Sequence, residues 1–81
     1  MITVKFFAQV RELVGTDSAS IPADGVATIA DVSAALCQIF PNWKTISADP
    51  MLMACNQDIV DAEHPVKAGD EIAFFPPVTG G

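Results

Sequence analysis

A chain of 81 residues makes one domain, near the smallest size at which a single core suffices without staples, and its 51% hydrophobic content excludes a disordered chain. No apolar run approaches the ~20 residues of a membrane span, and Met1-Ile2-Thr3-Val4-Lys5 lacks the basic region and cleavage site of a signal peptide, so a soluble, cytoplasmic protein is expected. The net charge of −6, with Lys5, Arg11, Lys44 and Lys67 the only cations, excludes a nucleic-acid partner, whose phosphates demand basic surface. It suits a partner presenting Lys and Arg, or serves solubility alone.

Ile2 to Ala8 alternates, with Ile2, Val4, Phe6 and Ala8 on one side and Thr3, Lys5 and Phe7 on the other, which predicts a half-buried strand. Phe7 is the misfit: it puts an aromatic ring on the face marked polar. Gln9 to Val14 has short helical spacing, and Gly15 supplies a stop in the left-handed conformation. Ser18 to Ile21 predicts a short return strand ending at Pro22. Thr28-Ile29-Ala30-Asp31 resembles a capping box and starts a helix whose apolar stripe is Ile29, Val32, Leu36, Ile39 and Phe40, with Pro41 as its end. Asn42 to Pro50 reads as irregular, with Trp43 and Ile46 as satellite core groups.

Met51 to Cys55 is too short an apolar run for a helix, so a strand and a tight turn at Asn56-Gln57-Asp58 are predicted, with Ile59-Val60 as the return. Lys67-Ala68-Gly69-Asp70 makes the turn into the last strand. There Ile72 and Phe74 share one face and Glu71, Ala73 and Phe75 the other, so Phe75 repeats the anomaly of Phe7. One helix and a mixed sheet, each with one apolar face, make a two-layer α+β domain over 1–75. The order of elements lets the last strand lie parallel beside the first in the sheet's centre. Phe7 and Phe75 then meet on the open face, Ile59 joins from a neighbouring strand, and three contiguous apolar side chains make a docking patch.

The chain closes on Phe74-Phe75-Pro76-Pro77-Val78-Thr79-Gly80-Gly81. Pro76 and Pro77 lack the N–H that would continue the ladder and favour extended backbone, so 76–81 is read as a stiff tail. Thr79 is small and Gly80-Gly81 have no side chains, which suits either a carboxylate threaded into a narrow channel or a frayed terminus. Cys37 and Cys55 show no CxxC spacing and read as small buried hydrophobes. His64, before Pro65, reads as a surface histidine, and no metal site is expected.

The stretch Phe6-Phe7-Ala8-Gln9-Val10-Arg11-Glu12-Leu13-Val14-Gly15, the turn Ala68-Gly69-Asp70-Glu71 and the ending Phe74 to Gly81 together resemble the small subunits of molybdopterin synthase, with the likeness spanning the whole chain. That resemblance implies a ubiquitin-like β-grasp fold and a sulfur carrier of molybdenum cofactor biosynthesis. An E1-like adenylating enzyme would use ATP to activate Gly81, sulfur would replace AMP, and the thiocarboxylate would enter the large subunit to supply the dithiolene sulfurs of molybdopterin. The resemblance also implies a heterotetramer, with two small subunits at opposite ends of a large-subunit dimer.

On this reading Gly81 and Gly80 carry the chemistry. Phe7, Arg11, Ile59, Phe75, Pro76, Pro77, Val78 and Thr79 meet the partners, and the catalytic groups lie on the large subunit, with no cofactor bound here. For Arg11 a solvated helix position accounts for the residue equally well. The alternatives are a sulfur donor for thiazole or transfer-RNA thiolation, a ubiquitin-like modifier joined through Gly81 to lysines, or a thiol enzyme using Cys37 or Cys55.

Overall fold

The computed structural model describes residues 1–77. Eight elements follow one another: β1 (Ile2–Phe6), α1 (Ala8–Val14), β2 (Ser18–Ile21), α2 (Ile29–Ile39), α3 (Trp43–Ala48), β3 (Leu52–Cys55), β4 (Asp58–Val60) and β5 (Glu71–Phe75). The strands form one mixed sheet in the order β2-β1-β5-β3-β4, with β1 and β5 parallel at its centre and every other pairing antiparallel. The parallel central pair in a mixed sheet is as predicted, and the fold is the ubiquitin-like β-grasp. Among the described residues no helix is long and apolar enough to cross a membrane.

Strict alternation in the central strands builds the core. Ile2, Val4 and Phe6 of β1 and Ile72 and Phe74 of β5 are buried on the face that α2 covers with Ile29, Val32 and Leu36. Phe6 is the hub of the aromatic packing, with ring centroids 5.8 Å from Phe40, 5.6 Å from Trp43 and 6.5 Å from Phe74. Thr28 and Asp31 form a complete capping box at the start of α2. Hydrogen bonds from the Ala27 and Thr28 N–H groups lower the Asp31 carboxyl below its usual range. Gly15 closes α1 at φ +94°, its N–H bonded to the Arg11 carbonyl at 2.9 Å.

Four expectations are corrected. Asn42 to Pro50 is not irregular, because Trp43 and Ile46 are three apart and both buried, which winds the segment into the short helix α3. The stripe on α2 does not include Ile39, which is 47% exposed. The helix ends there, and Phe40, in extended backbone, turns its ring against Phe6 instead. Cys37 is exposed rather than buried, since it lies outside the Ile29, Val32, Leu36 face. Ala8 does not continue β1: it opens α1, is exposed, and takes the left-handed φ of +53°.

The contrast along α2 is directly measurable. Leu36→Ala is expected to lose about 2–5 kcal/mol in urea denaturation, whereas Ile39→Ala stays within about 0.5 kcal/mol of the parent. Equal losses would mean that the last turn packs as the simple stripe predicted.

Candidate functional site: the open sheet face and the tail exit

The face of the sheet opposite α2 is set by register. Leu52 lies opposite Phe75, Ala54 opposite Ala73, and Ala54 also opposite Ile59. The intervening positions Met53, Cys55, Ile72 and Phe74 point into the core or pack against it, so Leu52, Ala54, Ala73, Phe75 and Ile59 share the open face. Phe75 and Leu52 are half-buried and Ile59 is 63% exposed. Ala54 is buried yet stands outside the core cluster, as a small residue among larger neighbours would. Lys5 and Glu71 bound this apolar group with an ion pair at 3.8 Å.

Phe7 and Phe75 both lie at the end of the central strand pair. The Phe7 N–H donates to the Phe74 carbonyl at 3.1 Å, which carries the β1–β5 ladder one residue beyond the strand. Phe7 is 48% exposed; among the described residues, aromatic ring pairs join only Phe6, Phe40, Trp43 and Phe74. Ile59 is placed two strands from β5, with Ala54 between, so it extends the patch toward β4 rather than adjoining Phe75. The residue that sequence reading missed is Leu52. Met51 to Ala54 is apolar without a break, so alternation assigns neither face. The available signal was the unbroken run itself, because a strand apolar on both sides must cover two surfaces.

Arg11 is exposed on α1 and lines a cleft with Phe7. Pro76 is half-buried beside Val10, Leu13, Ile46 and Met51, and Pro77 is exposed, so the chain leaves β5 along α1 and α3. Val78, Thr79, Gly80 and Gly81 lie outside the described residues.

The start of β5 is pinned by a polar clamp. Asp70, only 7% exposed, accepts from Asn56 Nδ2 at 3.0 Å and from the Lys67 N–H at 2.9 Å, while Asn56 Oδ1 accepts the Glu71 N–H at 3.0 Å. Asn56 and Gln57 take positive φ of 51° and 75°, as a two-residue hairpin turn requires. The Asn56 and Lys67 hydrogen bonds hold the Asp70 carboxyl below its usual range. Burial, and then the Asp70 charge, push the Cys55 thiol up, so it stays protonated and is a poor nucleophile. His64 is half-buried in the loop before Val66, with its carbonyl accepting the Ile29 N–H at 3.1 Å. Among the described residues no group of three His, Cys, Asp or Glu side chains could hold a metal ion.

A β-grasp body with an apolar open face and a proline exit places this chain among the small ubiquitin-like proteins. It belongs to the ThiS family, whose model matches residues 4–81. It is 48% identical over 82 residues to the molybdopterin synthase sulfur carrier subunit of Escherichia coli, with the whole of both chains covered. Among solved structures it resembles small archaeal modifier protein 1 of Haloferax volcanii, with a TM-score of 0.83, 29% identity, and 99% of this chain and 98% of that one covered. It also resembles a chain in the complex of subunits 1 and 2 of the molybdopterin-converting factor of Helicobacter pylori, at a TM-score of 0.69 and 26% identity, covering 99% and 97%.

The clamp on Asp70 makes a pH prediction. A carboxyl whose folded pKa lies below its unfolded value of about 3.9 adds stability that is full above that value and is lost as pH falls through the folded one. Asp70→Asn should therefore be less stable than the parent by about 2 kcal/mol near neutrality, with the gap narrowing below about pH 4. Urea midpoints across that range check it. A gap independent of pH would show that the Asp70 charge takes no part.

Proposed function

We propose that this protein is the sulfur carrier subunit of a molybdopterin synthase, acting in the cytoplasm. The observation that carries this reading is the 48% identity, end to end, with a protein of that name. The exposed apolar face on β3, β4 and β5 supports it, because a carrier must dock on successive partners through one surface. The terminal Gly80-Gly81 beyond two prolines supports it from the sequence.

A carboxylate resists substitution because it would have to expel oxide. The Gly81 carboxylate first attacks the α-phosphorus of ATP on an E1-like adenylating enzyme, releasing pyrophosphate and leaving an acyl-adenylate. Sulfur at the oxidation level of hydrosulfide then attacks the acyl carbon, AMP departs with the bonding electrons, the S–H proton is lost to water, and Gly81 ends as a thiocarboxylate. In the large subunit that sulfur becomes a dithiolene sulfur of molybdopterin, and the carboxylate is restored by water. This chain supplies no acid, base or metal to those steps. Its part is to present one nucleophilic sulfur on a tether whose stiff Pro76-Pro77 stem reduces the entropy lost on entering a deep pocket.

A second reading, a protein modifier joined through Gly81 to target lysines, is favoured by the likeness to the archaeal modifier. Incubation with the activating enzyme, ATP and a sulfur donor should raise the mass of the intact chain by the difference between sulfur and oxygen. Adding the large subunit and the pterin precursor should return it to the starting mass. Removal of Gly81 should abolish both changes without altering the fold, since β5 ends at Phe75. Recovery of lysine conjugates with no transfer to the pterin would favour the modifier.

The docking face has its own test. Phe75→Ala and Leu52→Ala are each expected to weaken large-subunit binding, Phe75→Ala by about 2 kcal/mol or more, in titration calorimetry. Unchanged affinity in both would remove this face from the interface.

A further inference from the structure

Two of the four cations in this acidic chain converge. Lys5 and Arg11 line one cleft of about 240 Å³ with Phe6, Phe7, Asp17 and Ser18. The cleft lies at the end of β1, on its β2 side, and borders the open face through Lys5, which stands opposite Ser18 on one side and Ala73 on the other. The charge of Lys5 is partly answered by Glu71 at 3.8 Å, whereas among the described residues Arg11 makes no ion pair.

The backbone builds this cleft deliberately. Phe7 is extended and bonded to β5, and Ala8 then takes the left-handed φ of +53°. The Phe7 carbonyl accepts the Val10 and Arg11 N–H groups at 3.1 and 3.4 Å. Glycines hold the left-handed turns before β2, α2 and β5, at Gly15, Gly25 and Gly69, and Asn56 and Gln57 hold that of the β3–β4 hairpin. At Ala8 a residue with a Cβ holds that conformation at some cost, a form of strain that clusters at ligand clamps. Its effect is to hold Arg11, four residues on from Phe7, close to the exposed ring.

We propose that this cleft receives a carboxylate side chain, Asp or Glu, from the large subunit, set between Lys5 and Arg11 with Phe7 as its apolar wall. This rests on the carrier reading and names the chemistry of the partner surface. Charge selects the occupant: two cations in a chain of net −6 attract an anion, while Asp17 in the cleft and Glu71 beside Lys5 disfavour a dianionic phosphate more than a singly charged carboxylate. Asp17 is then a competitor for the same cations, and removing its charge should strengthen the complex.

Dissociation constants for the intact chain with its large subunit, at low and high salt, test this. Arg11→Ser and Lys5→Ser should each weaken binding by about 3- to 30-fold and flatten its salt dependence, whereas Asp17→Asn should tighten it several-fold. A merely structural role for the cleft would give no gain in the Asp17 variant. Weakened binding in Phe75→Ala with unchanged affinity in all three cleft variants would overturn the carboxylate cleft and leave the docking face standing. Absence of any complex with the parent chain would overturn both.

Discussion

The parallel pairing of β1 with β5 is the constraint on which the molecule depends. Val4 against Ile72 and Phe6 against Phe74 place four buried side chains in two adjacent rows under α2. Parallel neighbours begin at the same end and finish at the same end. The chain's last strand is therefore delivered beside Phe7 and α1, and Pro76 and Pro77 follow directly from the central strand pair. Thr3 N–H to the Asp70 carbonyl and Phe7 N–H to the Phe74 carbonyl, both at 3.1 Å, close the ladder at its two ends.

The second face of the same strands is available because the first is so fully covered. α2, α3 and Phe40 occupy one side, and among the described residues no helix covers the other. Small residues at Ala54 and Ala73 keep that surface low between Phe75, Leu52 and Ile59, making a shallow apolar floor with larger side chains around it. The Asp70–Asn56 clamp contributes at the far end, holding the β3–β4 turn to the start of β5 and so fixing where Ile59 stands relative to Phe75. Packing on one side and an open apolar surface on the other are thus served by alternate residues of the same strands.

Much of this was legible because alternation is unambiguous where polar residues mark one face. Thr3 and Lys5 in β1, and Glu71 in β5, expose Phe7 and Phe75 as exceptions, and the capping box and Gly15 mark helix boundaries by chemistry that has few other uses. Legibility failed where such markers are lacking. The run Met51 to Ala54 has no polar residue to label a face, so Leu52 escaped notice. Trp43 and Ile46 carry a single helical turn between two prolines, too short for periodicity to declare. Ile39 and Phe40 are adjacent and both apolar, and only the packing around Phe6 decides which turns inward. The left-handed turn at Ala8 is invisible in composition, since alanine favours the helix that follows it.

The central claim is that sulfur borne on the terminal glycine of this chain becomes dithiolene sulfur. The most direct measurement is an isotope chase. The chain is loaded with heavy sulfur at Gly81, freed of the activating enzyme and donor, and mixed with the large subunit and the pterin precursor, and the product is then weighed. The account predicts molybdopterin carrying heavy sulfur at both dithiolene positions, with two chains returned to the carboxylate for each pterin completed. Product with light sulfur, or heavy sulfur retained on the chain while product forms, would contradict it.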